Sequence, residues 1–296
     1  MPFYGEQVLF RQAVDSVRTQ INSDWQLTIV DDCDPSEDGM KYVASLNDPR
    51  IHYLRNTKNL GISANFQQCV QLAKAEFFSV MGCDDILLPN YVDHMLELIV
   101  AHPETTLIQP GVVVIDELGR KYNPLGDRIK AMIRNRFPNG SHIGGEDAAA
   151  SLAFGCWTYF PSIAWRTNTV QNFRFRQDYR IVLDLALQFD LLAEGGTILV
   201  DNLPAFAYRR HRQSASMMSA KEGSRFIEEA KLFAESARRF ENLGWHVAAR
   251  SASLHLTSRI NLAIAVAGEL RQGHFANARN LSRILFRPPD MPNQVS

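Results

Sequence analysis

The chain has 296 residues, 46% of them hydrophobic, enough for one large core or for a main domain with an appendage. Its 31 basic and 32 acidic residues leave a net charge of −1, so no overall field draws in nucleic acid, and any phosphate has to be held locally. Cys33, Cys69, Cys83 and Cys156 lack metal-type spacing and read as free thiols of a reducing compartment; no apolar run reaches the ~20 residues of a membrane span, so the chain reads as soluble or peripherally bound.

Residues 1–5, Met-Pro-Phe-Tyr-Gly, are an abrupt start. Val8, Leu9, Gln12, Ala13, Ser16 and Val17 then fall on one face of a helix. Residues 27–30 read as a strand ending at Asp31 and Asp32, and residues 34–39, Asp-Pro-Ser-Glu-Asp-Gly, are dense turn chemistry. A short helix over 40–46 and a strand over 51–54 follow, and the Asn59-Leu60-Gly61 turn opens a helix over 62–73. Residues 77–81, Phe-Phe-Ser-Val-Met, are a short apolar run bounded by Gly82, and they predict a buried strand that stops at Asp84 and Asp85. A helix over 90–101, opened by Pro89, and a strand over 107–115 come next. This alternation predicts an α/β chain with a mostly parallel sheet covered on both faces.

The pattern loosens over 116–145, which reads as a long excursion over the sheet edge holding the basic segment 128–136. Then come a helix over 146–154, an aromatic-rich stretch over 156–166, an apolar helix over 178–192 with Asp184 inside it, and strands over 196–200 and 205–208. After Met218 the chain reads as helix, over about 222–241, 245–270 and 275–284, with Gly244 and Gly273 as punctuation. The expected division is a domain over 1–217 and a helical extension over 218–296.

Two adjacent carboxylates past the end of a strand lie where open α/β sheets bind ligands. Asp84 and Asp85 suit Mg²⁺ or Mn²⁺ carrying a diphosphate; the plainer reading is a solvated turn. Asp184 lies between Ile181-Val182-Leu183 and Leu185-Ala186-Leu187, where partial desolvation makes a carboxylate a better base; alternatively it pairs with Arg180 one turn away. Trp157, Tyr159, Phe160 and Trp165 are core residues or, beside Pro161 and its polar neighbours, a sugar platform. His211, in the run Arg209-Arg210-His211-Arg212, is a ligand or part of a solvated face.

Taken in order, these motifs resemble the family 2 glycosyltransferases with a GT-A fold, over roughly residues 2–216. Pro2-Phe3-Tyr4 resembles the family's turn after its first strand, and Val30-Asp31-Asp32 its base-contacting Val-Asp-Asp. Asn59-Leu60-Gly61 with Asn65 is similar to the segment beside the nucleotide, and Cys83-Asp84-Asp85 to the metal motif. Leu183-Asp184-Leu185 stands where the family carries its catalytic base, and Arg209, His211 and Ser216 resemble the segment that closes over the diphosphate.

The resemblance implies nucleotide-sugar contacts from Pro2, Tyr4, Asp32, Asn59, Gly61, Asn65, Asp84 and Arg209. It implies a Mn²⁺ or Mg²⁺ ion on Asp85 and His211, Asp184 as the base, and acceptor contacts from Trp157, Tyr159 and Trp165. The reaction it implies is inverting transfer from a nucleotide-sugar donor, most simply a UDP-sugar, to a hydroxyl of a saccharide or lipid-linked acceptor. The setting would be cell-surface glycan or glycolipid synthesis, in the cytoplasm or peripherally at the inner face of the membrane. The sequence departs from the family at Gly82, which replaces the first carboxylate, and at Leu183, which replaces the base's acidic neighbour. The strand expected before Pro2 is also absent, so Met1 is not the expected natural start.

Two other classes stay open. A nucleotidyltransferase would want a Gly-rich, Lys- or Arg-bearing loop where Phe3-Tyr4-Gly5-Glu6 stands. A non-catalytic nucleotide-sugar binder is favoured by the lost carboxylates and the helical tail. In that tail Ile260, Leu262, Ala263, Ile264 and Val266 are flanked by Arg250 and Arg259 and by Arg271, Arg279, Arg283 and Arg287. Such a segment suits an anionic membrane surface, or a partner helix in a homo-oligomer, or simple packing on the main domain.

Overall fold

The structure is a computed structural model that describes residues 1–210 and 223–286. Two compact units interleave along the chain. The first comprises Met1–Ile143, Thr158–Gln177 and Gly196–Arg210; the second comprises Gly144–Trp157, Asp178–Gly195 and what is described of His211–Ser296. The division expected after residue 217 lies outside the described residues, and the units follow packing: two earlier segments group with the C-terminal helices.

The first unit opens with β1 (Pro2–Phe3), α1 (Gln7–Arg18), β2 (Leu27–Asp31), α2 (Asp38–Leu46), β3 (Ile51–Arg55) and α3 (Ile62–Leu72). The three strands form a parallel sheet, with Pro2 opposite Val30 and Ile29 opposite Tyr53. Phe10, Ala13, Val14 and Val17, spaced for one helical face, bury α1 in a core shared with Phe3 and Ile29. Phe3 and Phe10 stack at 3.9 Å. Each large side chain so buried contributes about 1.5–3 kcal/mol.

The second sheet holds β4 (Phe77–Phe78), β5 (Ile86–Leu87), β6 (Leu107–Ile115), β7 (Ser141–Gly144), β8 (Ala164–Arg166) and β9 (Thr197–Arg209), in the order β4-β8-β6-β9-β5 with β7 also on β9. Its long strands β6 and β9 are parallel, while β4, β5 and β8 add short antiparallel ladders. The strand expected over 77–81 pairs only at Phe77 and Phe78, because its neighbour β8 is three residues long. Val80 and Met81 are nonetheless buried. The two strands expected over 196–208 are one, β9, and it passes through Pro204 beside an irregularity at Gly111. A side chain at Gly111 would meet the Asn202 carbonyl at 2.4 Å, so only glycine lets the strands approach there. After β5 comes α4 (Tyr91–Ala101), and the stretch expected as an irregular excursion contains α5 (Leu125–Arg134), which buries Asp127 and Ile133.

The second unit is helical. It contains α6 (Gly145–Phe154), α8 (Leu183–Ala193) and the helices Ser224–Asn242, His246–Leu254, Leu256–Arg271 and Phe275–Phe286; α7 (Thr167–Val170) belongs to the first unit. Phe240 meets Phe189 edge-on at 5.2 Å. The helix expected from residue 178 starts only at Leu183, because the N–H groups of Arg180 and Ile181 donate to Glu228 Oε2 at 2.9 and 2.8 Å. The helix expected over 245–270 breaks at His255, whose φ is 29° and whose ring lies flat on Phe233 at 5.3 Å. Of the apolar cluster expected in that helix, Leu262 is buried with Phe226 and Leu281, while Ile260 and Ile264 are exposed. No helix among the described residues is long and apolar enough to cross a membrane.

Candidate functional site

The loops after β1, after β2 and after β4 meet in the first unit. Gly5 N donates to Asp34 Oδ2 at 2.6 Å, and the other Asp34 oxygen accepts from Ser36 N at 2.9 Å. The N–H of Tyr4 bonds the Cys83 thiol, which burial, and then the charge of Asp84, push up to about 12. That shift favours the thiol over the thiolate at Cys83. Pro2 lies in β1 and Tyr4 is 52% exposed beside that bond. Asp34 was legible as turn chemistry, through Asp-Pro-Ser, but its role as the anchor of Gly5 was not.

Asp31 and Asp32 follow from β2 and are both buried. Asp31 accepts from Asp34 N at 2.7 Å and from Tyr53 Oη at 2.8 Å, with Arg55 Nε at 3.6 Å. Burial, and then that bond to Asp31, raise the Tyr53 hydroxyl far out of its ordinary range. Asp32 Oδ1 accepts from Leu60 N at 2.8 Å and Asn56 Nδ2 at 3.0 Å, and its Oδ2 accepts from Gly61 N at 2.9 Å. Gly61 has φ +83°, which lets the turn aim successive N–H groups at one carboxylate. Asn59 Oδ1 accepts from the same Gly61 N at 3.0 Å, and buried Asn65 donates to Val30 O at 3.1 Å. Thus Asp32, Asn59, Gly61 and Asn65 are brought into one network, together with Asn56, which sequence reasoning missed.

Asp84 and Asp85 converge over Gly82. A Cβ at Gly82 would sit 2.6 Å from Asp85 Oδ2 and 2.8 Å from Asp84 Oδ1, so an oxygen of each carboxylate faces the space a side chain would fill. Asp85 is 1% exposed, and burial, then the charge of Asp84, hold its carboxyl well above the ordinary carboxylate range. A buried and a half-buried acid whose oxygens point at one place are a donor set for a hard divalent cation, which would relieve both effects.

Arg209, at the end of β9, builds the support. Its N–H donates to Asp85 Oδ1 at 2.8 Å and its Nε to the Asp84 carbonyl at 2.7 Å. Nη1 reaches the carbonyls of Asp116 and Glu117 at 3.2 and 3.1 Å, and Nη2 reaches Gln12 Oε1 at 2.9 Å. Arg209 is 3% exposed, and its guanidinium is engaged with the chain itself.

The aromatic residues separate. Tyr159 Oη donates to Asp127 Oδ1 at 2.8 Å, the Tyr208 ring lies at 5.2 Å, and Lys130 Nζ sits 4.5 Å from the Tyr159 ring centre. Arg210 clasps Asp127 through Nε at 3.1 Å and Nη2 at 2.8 Å, and burial raises the Tyr159 hydroxyl. Trp157 and Trp165 correct the platform expectation: they are 0% and 1% exposed and present no ring face to a sugar. Trp165 lies in the sheet between β4 and β6, and Trp157 Nε1 bonds Ser151 Oγ at 3.0 Å. Asp184 stands in the first turn of α8, half-buried between buried Leu183 and Leu185, within the second unit. His211 and Ser216 lie outside the described residues.

The sequence model of glycosyl transferase family 2 matches residues 1–159. WcaA of Escherichia coli (strain K12), named as a glycosyl transferase of colanic acid biosynthesis, is 39% identical over 105 residues, 35% of this chain and 36% of its own. EpsE of Bacillus subtilis (strain 168), named as a glycosyltransferase, is 24% identical over 124 residues, 40% of this chain and 44% of its own. The chain thus spans less than half the length of these relatives. The mannosyltransferase PcManGT of Pyrobaculum calidifontis, solved with GDP-Man and Mn²⁺, superposes with a TM-score of 0.61 at 14% identity, covering 97% of this chain and 79% of that one. TarS 1–349 of S. aureus, solved with UDP-GlcNAc, gives 0.59 at 12% identity, covering 97% and 90%. At such identities the likeness is one of fold, the GT-A fold.

Proposed function

The chain belongs to glycosyl transferase family 2, and from that premise we propose that it transfers a sugar from a nucleoside-diphosphate donor to an acceptor hydroxyl. The observation that carries this reading is the pair of carboxylate oxygens over Gly82. Asp85 and Asp84 fit Mn²⁺ or Mg²⁺, and an ion bound there supplies Lewis-acid stabilisation of the leaving diphosphate. His211 is proposed as a further ligand. Asp32 and Asn65 hold the wall against which the base lies, with Pro2, Tyr4, Asn59 and Gly61 at its rim. Arg209 acts by positioning the Asp84–Asp85 loop, since its donors are engaged with that loop and its neighbours. Asp184 takes the proton of the acceptor hydroxyl, and a single displacement inverts the anomeric centre. Tyr159 is the remaining proposed acceptor contact.

UDP is the proposed nucleotide, in keeping with the donor of TarS, although PcManGT carries GDP-Man. The name of WcaA supports an envelope glycan as the product class. The test is turnover of a panel of UDP-, GDP- and dTDP-sugars with Mn²⁺ and then with chelator. Transfer or slow hydrolysis of one donor, abolished by chelator, is expected. Binding without turnover of any donor would make the chain a nucleotide-sugar binder, and conversion of a donor with added pyrophosphate into nucleoside triphosphate and sugar 1-phosphate would make it a nucleotidyltransferase.

A further inference from the structure

At the other end of β6 the chain brings two imidazoles and a carboxylate together. His102 follows the last turn of α4, Glu104 stands in the loop before β6, and His142 lies in β7. His142 Nε2 is 2.8 Å from His102 Nδ1 and 3.4 Å from Glu104 Oε1, and one donor atom from each residue lies within 4.8 Å of the others. We propose that His102, Glu104 and His142 form a second cation site, of the zinc class, separate from Asp84 and Asp85.

Separation follows from the strand. β6 starts beside this cluster at Leu107 and ends at Ile115, which pairs with Arg209 next to Asp85. Eight steps of about 3.3 Å place the sites roughly 25 Å apart, so one ion cannot serve both. The donor types differ as well. Two imidazoles and a carboxylate suit Zn²⁺ and its late transition-metal neighbours, whereas carboxylates alone suit Mg²⁺ or Mn²⁺. With ligand bonds of about 2.0–2.1 Å, neighbouring donors of a tetrahedral ion stand roughly 3.3–3.4 Å apart. The His142–Glu104 distance already matches, and the two imidazoles need to part by about half an ångström.

The surroundings hold the donors in place. Thr105 is fully buried, and its Oγ1 lies 3.3 Å from His142 Nδ1. A proton on Nδ1 donated to that hydroxyl leaves the Nε2 lone pair facing His102 and Glu104, the outer-shell device that fixes the tautomer of a ligating histidine. When a cation takes His102 Nδ1, the proton shared there with His142 Nε2 moves, by exchange with solvent, to the other ring nitrogen of His102, so both ligands stay neutral imidazoles. The loop itself is pinned: Thr105 N donates to His102 O at 3.2 Å, and Arg166 donates to the carbonyls of Thr105, at 2.9 Å, and Pro103. Three protein donors leave a fourth position for water.

The test is calorimetric titration of the chelator-treated chain with Zn²⁺, in an Asp85→Ala background so that the first site does not compete, alongside Co²⁺ absorption spectra. One Zn²⁺ site is expected. It should be lost in His102→Ala/His142→Ala and weakened about 10–100-fold in Thr105→Val, which keeps shape and removes the outer-shell oxygen. Glu104→Gln, at an exposed position that cannot unfold the chain, should weaken it at least about tenfold. Co²⁺ should show a visible band without thiolate charge transfer. Unchanged Zn²⁺ binding in the double variant and in Glu104→Gln, or a thiolate band, overturns the proposal. In the otherwise wild-type chain the double variant should retain Mn²⁺-dependent UDP binding, so failure here is distinct from failure of the transferase reading.

Discussion

Gly82→Ala is the sharpest probe of the carboxylate pair. The added carbon would lie 2.6 Å from Asp85 Oδ2 and 2.8 Å from Asp84 Oδ1, against an ordinary contact of 3.4 Å or more. Both oxygens must retreat by more than half an ångström, and Asp85 can do so only by disturbing its bond from Arg209 N at 2.8 Å. Disturbing one charged hydrogen bond costs about 1.5–3 kcal/mol at most, and the less flexible unfolded chain returns about 0.4–1 kcal/mol. The melting temperature should therefore fall by no more than roughly 10 °C. Metal geometry is far less forgiving, since ligand distances hold to about ±0.2 Å. Mn²⁺-dependent affinity for UDP should drop about 10–100-fold, while the chelator-insensitive part stays. Calorimetry with UDP in Mn²⁺ and in chelator, beside thermal melts, reads both quantities. A folded Gly82→Ala chain that binds UDP with Mn²⁺ as tightly as wild type would refute the convergence of the two carboxylates on one ion.

Further outcomes follow from the same geometry. Asp85, with its carboxyl raised, binds a proton in the folded chain that the unfolded chain has already lost; stability in chelator should therefore fall as pH rises from about 4, and saturating Mn²⁺ should flatten that fall in melts across pH. Asp184→Asn should keep donor affinity and lower transfer about 10²–10⁴-fold, and a loss of donor affinity would assign it to the nucleotide instead. Arg209→Lys keeps the charge but not the planar fork, so the chain should lose about 2–4 kcal/mol in denaturant melts; unchanged stability with lost UDP binding would make Arg209 a phosphate ligand. In the helix Leu256–Arg271, exposed Leu256, Ile260 and Ile264 recur one turn apart, so the chain should float with anionic liposomes, and Ile260→Glu/Ile264→Glu should not.

The parts of the fold legible in the sequence are those in which periodicity and burial coincide. Phe10, Ala13, Val14 and Val17 announce α1 because one helical face meets one core. Asp84 and Asp85 stand out as two acids after an apolar run, but a solvated turn has the same sequence, and their convergence over Gly82 is visible only in the structure. What stayed hidden depends on distant partners. Arg209 reads as an anion ligand by its motif, yet it reaches Gln12 at the far end of the chain and carbonyls that carry no sequence signal. α5 reads as a basic excursion until Arg210 and Tyr159 are seen to share Asp127. No glycine or proline marks the break at His255, whose φ is 29° and whose ring lies flat on Phe233. The strands β5 and β8, two and three residues long, are too short to show a period at all. Trp157 and Trp165 could be platform or core on composition, and only burial decides.

In the proposed transferase, the acids around the site bear on how a nucleotide arrives. Asp31 and Asp32 lie buried in one wall, Asp34 ties Gly5 to it, and Asp85 lies buried under the neighbouring loop. The donors that satisfy Asp32 are neutral amides, which quench hydrogen-bonding capacity without cancelling charge. A polyphosphate approaching this surface meets like charge first. On the proposed reading, a divalent cation at Asp84 and Asp85 offsets that charge as well as aiding the chemistry, whether it arrives first or travels with the nucleotide as a complex. On that reading nucleotide affinity rises with local metal supply, through electrostatics alone and with no moving part.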